Sequence, residues 1–184
     1  MASKILKPRI IKNLKNCCYV LSQTWSSALK YHDQFKGRKL QPKCYWTLHG
    51  LWLCDKDDLD LKFEVENWFE NDGTFEYPTN RHVLADLQAI APDIHPDTWQ
   101  KILHKRMYNK HGKVIVQCNS ELGPTQPTST ITTSEAYFKK AVESAFQYNI
   151  GKYIKSTCLG CKLDLNAVSE HIDDKLGYTP YIQK

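Results

Sequence analysis

The segment Trp46-Thr47-Leu48-His49-Gly50-Leu51-Trp52 (residues 46–52) decides the reading of this chain, because it sets a histidine and a glycine inside a run of strand formers. Together with the preceding Cys44-Tyr45 it predicts a strand over 44–49, ended by Gly50. A second segment has the same ingredients: Tyr108-Asn109-Lys110-His111-Gly112 puts a histidine before a glycine, with Lys110 beside it. Two imidazoles can serve one reaction as acid and base, since the free side chain titrates near neutral pH. Taken singly, His49 reads as a half-buried strand residue and His111 as a cation at a helix C-terminus.

Working outward, Cys18-Tyr19-Val20-Leu21-Ser22-Gln23-Thr24-Trp25 alternates and predicts another strand, followed by a polar loop over 26–43. The acidic stretch 55–76, with Phe63, Trp68 and Phe69, is expected to be partly helical. Val83, Leu84, Leu87 and Ile90 recur at helical spacing, so a helix is expected over 81–90, stopped by Pro92. A further helix is expected over 99–109, with Gly112 as its breaker, while 113–118 fits a strand or an extension of that helix equally. After a loop over 122–130, Ser134 is read as the cap of a helix whose apolar face holds Tyr137, Phe138, Ala141, Ala145 and Tyr148. A last helix is expected over 165–176, ended by Gly177. Strands scattered among helices without regular βαβ alternation predict an α+β fold.

The length of 184 residues suits one core rather than two, and the aromatic content excludes a disordered chain. The net charge of +5 is unevenly spread: residues 1–40 carry nine Lys/Arg against Asp33 alone, whereas 41–80 carry nine acids against three bases. We therefore divide the chain into a basic arm, 1–17, and a single domain, 18–184, and take a polyanionic partner into account. No run is long and apolar enough to span a bilayer, and no secretory signal is expected at the N-terminus. Seven cysteines point to an oxidising compartment and disulfide bonding, while the absence of an Asn-x-Ser/Thr sequon speaks against a glycoprotein. Cys158-Leu159-Gly160-Cys161 has half of a zinc-knuckle pattern but no second half, so neither a metal nor another cofactor is expected. The number of possible cysteine pairings leaves the connectivity open.

The first segment, with Val20-Leu21-Ser22-Gln23-Thr24-Trp25 upstream, resembles the first active-site segment of the RNase T2 family of ribonucleases, which reads roughly F-T-I-H-G-L-W-P. Leu103-His104-Lys105-Arg106-Met107-Tyr108-Asn109-Lys110-His111-Gly112 resembles the second, F-W-x-H-E-W-x-K-H-G. Ala91-Pro92-Asp93-Ile94, Tyr137-Phe138, Tyr148-Asn149-Ile150 and Gly177-Tyr178-Thr179-Pro180-Tyr181-Ile182 follow the family's landmarks in order, so the resemblance spans about 18–182.

The resemblance implies an RNase T2-like fold, a mostly antiparallel sheet flanked by helices and held by disulfides. It also implies an endoribonuclease that cleaves single-stranded RNA through a 2′,3′-cyclic phosphate without metal. His111 would take the proton of the ribose 2′-OH, His49 would protonate the leaving 5′-oxygen, and Lys110 would stabilise the phosphorane. Trp52 would stack on a base, and Arg106, His104 and Gln23 are the further candidates for substrate contact. A monomer in a secretory or endomembrane compartment is expected.

Two departures bear on activity. Arg106 stands where the family has a histidine, and can hold a phosphate but not shuttle protons near neutral pH. Met107 stands where the family has a glutamate, and a thioether cannot orient an imidazole. The competing expectation is a catalytically weakened RNA-binding protein or secreted effector that keeps the groove.

Overall fold

A computed structural model of the chain describes residues 17–25, 46–55, 62–63, 75–92, 100–122, 130–153 and 165–177. The basic arm up to residue 16, the loop over 26–43, most of the acidic stretch and the Cys158/Cys161 pair lie outside the described residues. Three strands form one antiparallel sheet in the order β1 (Cys17–Trp25), β2 (Trp46–Asp55) and β3 (Lys62–Phe63). The helices are α1 (Arg81–Ile90), α2 (Gln100–Met107), α3 (Lys113–Leu122), α4 (Ser134–Gln147), α5 (Ile150–Tyr153) and α6 (Leu165–Leu176). Sheet and helices together give the expected α+β architecture, with β1 starting at Cys17, one residue inside the arm as first drawn.

The expected end of β2 at Gly50 is corrected: the strand runs on to Asp55 because a bulge absorbs the glycine. Ser22 pairs with Gly50 and Gln23 with Leu48, so His49 is the extra residue of the bulge. The bulge also resets the alternation of side chains. Leu48, Leu51 and Leu53 join one core, although an unbroken strand would send Leu48 to the face opposite Leu51.

Gly112 is likewise not a helix breaker. Residues Tyr108–Gly112 form a single π-helical turn, closed by the Lys113 N–H bonding back to the Tyr108 carbonyl, and join α2 to α3 without interruption. Residues 113–118 are therefore helical, with Val114, Ile115 and Cys118 buried in the core. The cap of α4 also differs from expectation. Thr133, not Ser134, accepts the Ala136 N–H at 3.1 Å, while the Ser134 hydroxyl donates to the Glu76 carbonyl at 2.7 Å.

The core lies between β1–β2 and the helices. Leu87 of α1, Val114 and Ile115 of α3, and Tyr137, Phe138 and Ala141 of α4 are fully buried there. The described residues include Cys17, Cys18, Cys54 and Cys118, and no disulfide joins two of these four.

The start of α4 is tied to the start of α1 through Glu135. Its Oε2 accepts from the Thr79 N–H and the Thr79 hydroxyl, both at 2.8 Å, and from the Asn80 N–H at 3.3 Å. Asn80 in turn caps α1, its side-chain oxygen accepting from the His82 and Val83 N–H groups. The Thr79 side-chain bond, then the two backbone bonds, hold the Glu135 carboxyl below its ordinary value of 4.5. A depressed carboxyl stabilises the fold above that ordinary value, and the contribution disappears as pH falls through the folded-state value. Urea midpoints measured from pH 7 down to pH 3 should therefore fall more steeply for the parent than for Glu135→Gln.

Candidate active site

The bulge presents His49 to solvent, the one exposed residue within Thr47–Cys54. Its Nδ1 lies 3.4 Å from the Ser22 hydroxyl, on the residue that pairs with Gly50. Such a contact helps to orient the imidazole. Gly50 adopts φ +155°, and a Cβ there would stand 2.9 Å from the Trp52 Nε1, so the bulge requires a glycine on two counts.

The π turn carries the second histidine. A single π turn widens the helix by one residue and is frequently found at functional sites. Here Tyr108, Asn109, His111 and Gly112 are all buried, while Lys110 is half-buried. The Asn109 Oδ1 is also buried, and among the described residues it has no hydrogen-bond partner.

Trp52 brings the two histidines together. Its ring stacks on the His111 imidazole at 5.1 Å between centroids with 27° between planes, and meets His49 edge-on at 5.5 Å and 73°. Trp52, the residue expected to stack on a base, is 8% exposed and has His111 against its ring. It acts as the wedge between an exposed imidazole and a buried one.

Tyr137 of α4 locks this arrangement from behind. Its hydroxyl donates to the Leu51 carbonyl at 3.2 Å and lies 3.3 Å from the Leu51 N–H, which donates to it. A Cβ on Gly112 would come within 2.9 Å of the Tyr137 ring and 2.7 Å of Tyr108, so only glycine lets the His111 turn approach this closely. Complete burial pushes the Tyr137 phenol well above its usual range, outweighing the lowering effect of the Leu51 bond. The sequence marked Tyr137 only as a core residue and family landmark; its bonds to Leu51, 86 residues away, leave no local signal.

The other candidates are placed differently. His104 is fully buried, Nε2 lying 2.9 Å from the Ala91 carbonyl and Nδ1 2.7 Å from the Tyr77 hydroxyl. A carbonyl only accepts, so Nε2 carries the proton and, in the neutral ring, Nδ1 accepts from Tyr77. As placed, His104, named above as a candidate for substrate contact, ties α2 to the residues on either side of α1. Gln23 is half-buried and donates its amide to the Tyr148 carbonyl at 2.7 Å, which joins β1 to the end of α4. Arg106 is exposed, whereas its neighbour Met107 is buried in the apolar core. Among the described residues no group of three or more His, Cys, Asp or Glu is arranged to hold a metal ion.

Comparison with known proteins gives a consistent result. The sequence model of the Ribonuclease T2 family matches residues 16–183. Ribonuclease MC1 from the seeds of bitter gourd is similar in structure at a TM-score of 0.60 and 19% identity, over 86% of this chain and 74% of that one. RNase NT in complex with 5′-AMP is similar at 0.58 and 17%, over 90% and 75%. The RNase MC1 mutant N71T in complex with 5′-GMP is similar at 0.61 and 19%, over 86% and 74%. No curated protein matches the chain in sequence.

Tyr137→Phe should lower unfolding free energy by about 1–3 kcal/mol, because the Leu51 backbone groups lose their partner inside the core. Gly112→Ala should cost about 1–3 kcal/mol through overpacking against Tyr108 and Tyr137. Urea denaturation of both variants beside the parent measures each effect.

Proposed function

Because this chain belongs to the Ribonuclease T2 family, we propose that it is an endoribonuclease that cleaves single-stranded RNA by transphosphorylation, without a metal or other cofactor. RNA supplies its own nucleophile in the ribose 2′-hydroxyl, so the protein has to provide a base, an acid and a fixed cation. His111 accepts the 2′-proton as the 2′-oxygen attacks phosphorus. His49 donates a proton to the departing 5′-oxygen, and the product is a 2′,3′-cyclic phosphate. Lys110, next to His111 on the π turn, offsets the charge that develops on the phosphorane oxygens. Arg106, exposed one turn before, is suited to hold a neighbouring phosphate through its planar fork.

The observation that supports this reading most directly is the contact of both histidines with the one ring of Trp52. Residues 62 apart in the sequence are thereby held at one place, one imidazole open to solvent and the other beneath it. The basic residues on the second segment favour a polyanion over a neutral substrate. The cysteine content suits a secreted or endomembrane location, and we propose that the chain works there as a monomer.

The weakened-binder alternative rests on Met107, whose burial in the apolar core leaves no carboxylate at that place to orient a neighbour. The decisive experiment is cleavage of labelled single-stranded RNA in EDTA from about pH 4 to pH 8, with analysis of the new ends. We expect fragments ending in cyclic or 3′-phosphate, a bell-shaped rate profile, and losses of about a hundred- to ten-thousand-fold in His49→Ala and His111→Ala. Retention of RNA without turnover by the parent would instead identify a binder. Arg106→Ala should raise KM several-fold with little change in kcat, and reduce the slope of log affinity against log salt by about one phosphate contact.

A further inference from the structure

We propose that Cys18 and Cys54 form a cross-strand disulfide linking β1 to β2. The two residues are direct partners in the antiparallel register. Directly opposed residues of such a pair have Cα atoms about 4.5–5.5 Å apart, within the range of about 4.4–6.8 Å that a disulfide spans. Fold alone sets this spacing, and the surrounding oxidant sets whether the bond closes.

Alternation fixes which cysteine of the neighbouring pair is involved. Cys17, Tyr19 and Leu21 of β1 pack on the core that holds Leu51 and Leu53 of β2. Cys18 and Val20 therefore face the other way, together with their register partners Cys54 and Trp52. Cys17 is opposite Asp55 and on the core side, where it and Cys118 both act electrostatically on the Tyr19 phenol. Among the described cysteines, only Cys18 shares both the register and the face of Cys54. The bond would lie one same-face pair from Trp52, and would brace the strands that carry Ser22 and His49.

The chemistry needs an oxidant, and a low-molecular-weight disulfide such as glutathione disulfide suffices. The Cys18 thiolate attacks one of its sulfurs and expels a first glutathione thiolate. The Cys54 thiolate then attacks the Cys18 sulfur of the mixed disulfide and expels the second. Two protein thiols are oxidised, one external disulfide is reduced to two thiols, and the two protein protons end on the glutathione. Cys54 has no exposed surface, so the exchange belongs to folding, before the face closes over it.

The inference does not depend on the ribonuclease reading, and its test reads a bond rather than turnover. The full chain is refolded in glutathione buffer, unfolded in denaturant without reductant, alkylated, and digested with chymotrypsin, which cuts between Cys44 and Cys54 at the tryptophans. A Cys18–Cys54 linked peptide is expected in the parent and in Cys17→Ser, and should be missing in Cys18→Ser, where Cys54 becomes alkylated. Reduction should lower the Tm of the parent by about 10 °C more than it lowers that of Cys18→Ser. Alkylation of Cys54 in the refolded parent, or its linkage to any other cysteine, overturns the proposal.

Discussion

The hydroxyl of Tyr137 grips Leu51 by both its N–H and its carbonyl, and the flank of the same ring admits nothing larger than hydrogen at Gly112. One side chain therefore sets the distance between the strand that carries His49 and the turn that carries His111. Its position is itself overdetermined, since it sits fully buried among Tyr108 and Phe138. Burial of the phenol keeps it protonated and able to donate to the Leu51 carbonyl.

Around this strut, the histidines have opposite environments. His49 is open to solvent and steadied by Ser22, whereas His111 is enclosed and stacked on Trp52. A pair of acid–base groups benefits from such a difference, because one must hold a proton while the other must be ready to receive it. Water reaches the first and is largely kept from the second. The other buried histidine, His104, shows the contrast: it has a carbonyl at one nitrogen and a phenol at the other.

Much of this was legible in the sequence. The α+β class, the strand at Cys18–Trp25, the helices over 81–90 and 165–176 and the two histidine segments follow from alternation, helical spacing and local motif. The sequence misled where a glycine stood in an element. Gly50 and Gly112 read as terminators, because a glycine's backbone freedom commonly ends a strand or helix. In the fold they serve close approach instead, one to Trp52 and the other to Tyr137, and both contacts come from residues distant in the chain or beyond a bulge. Ser134 and Thr133 could not be ranked as caps from composition, since either hydroxyl suits the role; the Glu76 carbonyl, 58 residues away, claims the serine. His104 read as a site residue for the same reason: nothing local reveals that Tyr77 and Ala91 meet it.

The bulge and the π turn are the same device in two kinds of backbone. Each is a place where the chain holds one residue more than the regular repeat allows, and a histidine lies in each. Removing one residue from the π turn would let the two helices run on as one regular α-helix, with Val114, Ile115 and Cys118 still on the core side. Removing the extra residue of the bulge would likewise leave Leu48 and Leu51 two positions apart on one face, a regular strand with the same core side. The surplus residue in each element thus serves the histidines and not the packing, so that a length change which makes either element regular would spare the core and dismantle the site.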